Sequence, residues 1–159
     1  YDFNIINSVL EVNHLQKLKL VEKVKNYFRN DLTGKKLALW GLAFKPDTDD
    51  IREAPALYMI DELIKLGANI TAFDPEAMEN VNNLIGNKIR YASNQYDALR
   101  DADALLIATE WSVFRNPDFS KIESMLSQKV IFDGRNLFDL DFITEKGFYY
   151  ESIGRKTIG

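Results

Sequence analysis

The residues in this chain best suited to chemistry are two cations on one long loop, Lys45 and Arg52, and a third, Arg135, on a later turn. Lysine offers a compact ammonium on a mobile stem, and arginine a planar fork that meets phosphate oxygens in pairs. That chemistry is the holding of an anion, not the making or breaking of bonds. Cysteine is absent, which removes a thiolate nucleophile, thiolate metal ligands and disulfides from these residues. The single histidine, His14, falls in an amphipathic stretch and reads as an ordinary helix-face residue. No Ser–His–Asp set, P-loop or metal-ligand cluster is visible.

The loop runs from Gly41 to Pro55 and is longer than the roughly two to six residues usual between a strand and a helix. Gly41 permits tight backbone geometry just after the strand, and the helix beyond adds free N–H groups and a partial positive charge. Four carboxylates on the same loop, Asp47, Asp49, Asp50 and Glu53, oppose an anion. It binds only if they turn away, cap the helix or pair with Arg52; the alternative is a capped, salt-bridged loop without a ligand. Asp50 with Glu53 fits a capping box, whereas Pro55 as a first-turn residue starts the helix later, and both remain open. The fingerprint G-x-G-x-x-G is not completed after Gly41, since Ala43 and Pro46 stand where glycines belong, so NAD bound in the usual way is not expected here.

Three further positions have two readings each. Asp74 ends a strand, where an acid could hold a ribose; without the glycine turn, Asp74-Pro75 reads as helix initiation. Arg135, in Gly134-Arg135-Asn136, lies on the same sheet edge as the long loop and either converges with Lys45 on one ligand or serves as a surface ion-pair partner. Trp111 and Phe114 either stack on a base or, as preferred here, pack in the core.

The elements that must position these residues follow from periodicity. Residues 11–30 predict a helix, with Val12, Leu15, Leu18, Val21, Val24 and Phe28 on one face. The segment before it, Tyr1 to Leu10, is apolar without an evident partner and reads as cut from something larger. Strands are expected at 36–41, 69–73, 88–91, 104–108, 129–133 and 148–150, and helices at 54–66, 76–85, 96–99, 119–126 and 139–145. The run Ala104 to Ala108 is wholly apolar and therefore central. Strands alternating with helices give an α/β fold: a Rossmann-like parallel sheet with helices on both faces, preceded by an N-terminal helix. In such open sheets, ligands bind at the carboxyl ends of the strands, where the loop sits.

With 159 residues and 46% hydrophobic content the chain can bury a substantial core. Net charge is −4 with scattered acids and no basic stripe, so neither nucleic acid nor an anionic membrane is an expected partner. No apolar run is long enough to span a bilayer and no signal peptide is visible, which favours the cytoplasm.

The run G-L-A-F-K-P-D-T-D-D-I-R-E-A-P at Gly41–Pro55 closely resembles the signature that opens the C-terminal, UDP-binding domain of the nucleotide-sugar dehydrogenases. Companions follow in order: Val12-Asn13 with Gln16-Lys17, Phe73-Asp74-Pro75, Ala108-Thr109-Glu110-Trp111 with Phe114, Asp133-Gly134-Arg135-Asn136, and Gly147-Phe148-Tyr149-Tyr150 with Ile153-Gly154-Arg155. Thr48-Asp49-Asp50 and Asp133 to Asn136 look most like members that act on UDP-glucose, less like those using UDP-N-acetylmannosamine or GDP-mannose. The resemblance implies oxidation of UDP-glucose to UDP-glucuronate by two NAD⁺ in the whole enzyme, through a cysteine-bound intermediate. It implies substrate contacts for Phe44, Lys45 and Arg135, and for Arg52 a reach toward NAD held by another domain. Residues 1–30 would be a remnant of a central dimerisation helix and residues 31–159 the UDP-sugar-binding domain of a homodimer. The family's NAD-binding fingerprint and catalytic Cys are not in this chain, so no catalytic residue is assigned to it. Other readings are a stand-alone nucleotide-binding or regulatory module, and an assembly scaffold.

Overall fold

The computed structural model describes residues 4–159; Tyr1 to Phe3, the start of the apolar segment noted above, lie outside the described residues. A helix, α1 (Asn4–Tyr27), leads into β1 (Lys36–Trp40), and the long loop joins β1 to α2 (Pro55–Lys65). There follow β2 (Asn69–Phe73), α3 (Met78–Ile85), β3 (Arg90–Tyr91), β4 (Ala104–Ile107), α4 (Ser112–Arg115), α5 (Phe119–Met125), β5 (Val130–Asp133), α6 (Leu140–Lys146) and β6 (Tyr149–Ser152). Short 3-10 turns occupy Gly86–Lys88 and Asp97–Leu99.

The six strands form one sheet in the order β3-β2-β1-β4-β5-β6, with every neighbouring pair parallel. The order reverses between β1 and β4, which makes their carboxyl ends the switch point of the sheet. All four residues of β4 are buried, as an apolar strand in the middle of a two-sided sheet requires.

Register sorts the side chains into two faces, because residues paired across parallel strands point the same way. Leu39, Leu106 and Phe132 share one face, and Tyr27 of α1 sets its ring edge-on against Phe132. Trp40 and Ile107 share the other, where Phe114 of α4 stacks on Trp40 at 5.0 Å. Phe119 of α5 continues that layer through Phe138 to Tyr150. Trp40, Phe114, Phe132, Phe148 and Tyr150 are all fully buried.

The helix α2 settles the choice left open by the sequence. Pro55 opens it, and Ala54 ahead of it makes no side-chain cap, so Asp50 and Glu53 form no capping box. Its buried residues Ala56, Met59, Ile60 and Leu63 follow the three-and-four spacing of a core-facing stripe. By contrast α5 and α6 are capped by Asp118 and Asp139, whose carboxylates accept from backbone N–H groups in the first turn.

Several boundaries differ from the sequence reading. The first helix starts earlier than residue 11 and ends at Tyr27, before Arg29 and Asn30 adopt positive φ. Its expected face is buried only in part: Val21 and Val24 are in the core with Leu20, while Val12 and Leu15 stay exposed. Asp74-Pro75 does not begin a helix directly, since α3 starts at Met78. The segment 96–99 is a single 3-10 turn, and β3 has two residues.

Both outer strands are guarded. The edge at β3 is short, and Ile158 pairs back antiparallel with Tyr150 through two backbone bonds of 2.9 Å, covering part of the outer side of β6.

Candidate functional site

The site grows from Gly41, the first residue after β1. Its φ is +94°, and a Cβ there would lie 2.6 Å from the Thr109 Cβ. Only glycine fits both constraints, so the chain leaves β1 against Thr109, in the turn that follows β4. Thr109 Oγ1 then donates to the Ala43 carbonyl at 2.7 Å, tying the loop to the switch point.

Asp74, fully buried at the end of β2, organises the rest. Its Oδ2 accepts from the Leu42 and Ala43 N–H groups at 2.7 and 3.0 Å and from Trp111 Nε1 at 3.0 Å. Its Oδ1 accepts from the Glu76 and Ala77 N–H groups at 2.9 and 2.8 Å. One carboxyl group thus joins the turns after β1, β2 and β4. Burial of a carboxyl is tolerable because every contact is a donor aimed at it.

This arrangement bears on NAD. In a dinucleotide fold the first turn offers its N–H groups to the pyrophosphate. Here Leu42 and Ala43 spend theirs on Asp74, and no second glycine opens the turn. The residues of this turn do not fit NAD.

Beyond Ala43 the loop folds on itself: the Phe44 N–H donates to the Asp50 carbonyl at 2.8 Å, and the Asp50 N–H to Thr48 Oγ1 at 3.1 Å. Arg52 Nε donates to Asp50 Oδ1 at 2.9 Å and its terminal nitrogen to Oδ2 at 2.7 Å. These bonds, with that from the Arg52 N–H, hold the Asp50 carboxyl down at about 2. Asp49 is engaged by Asn80 of α3. Glu53, at φ +57°, accepts from Tyr58 Oη at 2.8 Å and from Lys17 of α1. Lys17 also stands 4.3 Å from the centroid of the Tyr58 ring, and His14 meets that ring edge-on. Burial works to lower the Lys17 ammonium, but Glu53 and Tyr58 outweigh it and hold it raised.

Lys45 stands apart. It is exposed and forms no ion pair among the described residues, so it remains available to an anion; Phe44 beside it is 51% exposed.

Arg135 follows β5 in a turn held by the buried Asp133, which accepts from the Arg135 and Leu137 N–H groups and from Tyr150 Oη at 2.7 Å. The Arg135 guanidinium forks onto Glu110, 2.5 and 2.6 Å from its two oxygens. Burial pushes Glu110 up, yet Arg135 prevails and its carboxyl is lowered. A cavity of about 130 Å³ beside this pair is lined by Gln16, Lys17, Pro55, Ala108, Gly134 and Arg135, among others. Lys45 and Phe44 do not line it. The structure therefore brings Arg135 together with Lys17 and the start of α2, and leaves Lys45 on the exposed arm of the loop. Trp111 and Phe114 are buried in the core, Trp111 also donating to Asp74.

Sequence reasoning missed Asp74 as the brace, Glu110 as the Arg135 partner, and Lys17. Asp74 stands directly after β2 and Glu110 in the turn three residues beyond β4, where an acid can receive freed N–H groups or a neighbouring cation. Lys17 was visible only as part of the Gln16-Lys17 companion and had no assigned role, because its partner Glu53 is 36 residues away.

Residues 38–140 match the profile of the UDP-glucose/GDP-mannose dehydrogenase family, UDP binding domain. The chain is 39% identical over 158 residues to UDP-glucose 6-dehydrogenase TuaD of Bacillus subtilis, an alignment covering 99% of this chain and 34% of that protein. Among solved structures it is similar to a UDP-glucose dehydrogenase from Pyrobaculum islandicum, with a TM-score of 0.72, 30% identity, and 82% of this chain and 28% of that one covered. It is also similar, at TM-score 0.72 and 28% identity, to an NDP-N-acetyl-D-galactosaminuronic acid dehydrogenase from Methanosarcina mazei, over 90% of this chain and 29% of that one. The chain spans about a third of the length of the curated relatives it matches.

Proposed function

The chain belongs to the UDP-glucose/GDP-mannose dehydrogenase family and carries its UDP-binding domain; from that premise we propose that it holds the UDP moiety of UDP-glucose for oxidation to UDP-glucuronate by NAD⁺. The observation that carries this reading is Lys45: an exposed ammonium without an ion-pair partner among the described residues, on a loop where Asp49, Asp50 and Glu53 are held by Asn80, Arg52 and Tyr58.

In this reading Lys45 neutralises the pyrophosphate and Phe44 covers the nucleotide–sugar cleft. Arg135 holds the substrate after exchanging Glu110 for it, and Arg52 reaches toward NAD held by another part of the whole protein. Bond-making groups also lie elsewhere, because these residues contain no cysteine. The domain contributes binding energy from the remote nucleotide, which positions the sugar at the reacting centre. A homodimer in the whole protein would use α1, whose Ile6, Val9, Leu10, Val12 and Leu15 are exposed apolar residues.

Titration calorimetry of the chain with UDP-glucose tests the assignment. Lys45→Ala is expected to keep the melting temperature and to weaken binding about tenfold or more, as loss of one charge-assisted phosphate contact does. Unchanged affinity in a folded variant would remove Lys45 from the site. Preference among UDP-glucose, UDP-N-acetylmannosamine and GDP-mannose in the same titration ranks the substrate.

A further inference from the structure

The opposite edge of the sheet carries a second groove. The crossover from β3 to β4 contains only the 3-10 turn Asp97–Leu99, where the other crossovers place helices. The amino ends of β1, β2 and β3 are left open beside it, around a groove of about 610 Å³. That volume falls in the range of about 300–1,000 Å³ typical of small-molecule sites.

The groove is chemically one-sided. Lys36, Lys88, Arg90 and Arg100 line it against two acids, Asp97 and Asp101. Asp97 is occupied by Ser93, Asn94 and Arg100. The side chains of Lys36, Lys88 and Arg90 form no ion pair and no hydrogen bond among the described residues, although the Lys36 backbone N–H donates to a third carboxylate, Asp103, at 2.9 Å. In-register pairing sets Lys36 beside Asn69 and Thr71 beside Arg90, and the two-residue period puts all four on one face. The sequence thus sets polar donors at the amino ends of adjacent strands in a sheet whose middle strand is wholly apolar. Buried Ile89, Ala98 and Ala102 supply an apolar floor.

We propose that this groove is a second anion site, for a phosphate-bearing small molecule of about nucleotide size, separate from the nucleotide site at the carboxyl edge. The Arg90 fork and the Lys36 and Lys88 ammonium groups hold the phosphate, and Asn69 and Thr71 donate to its remaining oxygens. A surplus of cations in a chain of net charge −4 draws an anion to this edge.

Inorganic pyrophosphate is the probe, titrated by calorimetry and amide shift mapping into Lys45→Ala, in which the carboxyl-edge site is weakened and its shifts at residues 41–55 are told apart from those at the amino edge. The expected result is saturable binding with shifts centred on Lys36, Thr71 and Arg90. Adding Lys36→Ala with Arg90→Ala should weaken it about tenfold or more. Both residues are exposed, so the fold should survive; if it does not, Lys88→Glu, outside any strand, gives the same reading. Shifts confined to residues 41–55, an unchanged affinity in the folded variants, or a linear response abolished by added salt would overturn the proposal. Weakened UDP-glucose binding in Lys45→Ala, with pyrophosphate binding retained, is the pattern expected if both sites exist.

Discussion

Asp74 shows how much one side chain can decide at this edge. Replacing it with Asn turns one acceptor oxygen into a donor facing N–H groups, leaving buried donors unpaired. Asp74→Asn should therefore lower unfolding free energy by about 3 kcal/mol in a denaturant titration, and should also weaken UDP-glucose binding because the Leu42–Ala43 turn loosens. Gly41→Ala meets both a positive φ and the Thr109 side chain and should cost at least about 2 kcal/mol. Asp50 titrates in the opposite sense from a buried acid. Its folded value is depressed, so its stabilising pair with Arg52 is complete above the ordinary carboxylate range and is lost as pH falls toward about 2. A carbon-detected NMR titration should show that value, and Arg52→Ala should return the Asp50 carboxyl to the ordinary range. Because the pair is exposed, the effect on global stability should be small.

Among the elements, α1 divides into two halves with different expected behaviour. Val24 is fully buried against the sheet, so Val24→Ala should cost about 2 kcal/mol. Leu10→Glu with Val12→Glu, on the exposed half, should leave the melting temperature nearly unchanged and abolish any self-association seen by sedimentation. The sequence made the helix itself legible but not this division, since periodicity shows that a face is apolar and not which turns meet the domain. The strands were legible for a related reason: β1, β4 and β5 are apolar runs between turn residues, and their alternation with helices implied a parallel sheet, whereas the strand order came from the structure. Asp50 with Glu53 mimicked a cap because capping chemistry and ion pairing use the same side chains; Pro55 carried the true start. The motif residues Lys45 and Arg135 were visible as types, while their separation and the Glu110 and Lys17 contacts depend on distant parts of the chain.

At the scale of the molecule, the two edges of one sheet present opposite situations. At the carboxyl edge, Arg52, Lys17 and Arg135 each have a local carboxylate partner and Lys45 alone of these four has none; at the amino edge, Lys36, Lys88 and Arg90 have none among the described residues. Binding at the first therefore requires exchange of partners, and Glu110→Gln should tighten UDP-glucose binding a few-fold by freeing Arg135. Binding at the second should fall more steeply with ionic strength, since no competing acid is released. The Ile158 clasp on β6 has a different kind of consequence. An uncovered parallel strand offers a row of backbone groups on which a second chain can grow a foreign strand. By filling part of that row, Ile158 guards it against fibril seeding. Deleting residues 156–159 should therefore shorten the lag before thioflavin-positive aggregates form, even if the melting temperature hardly moves.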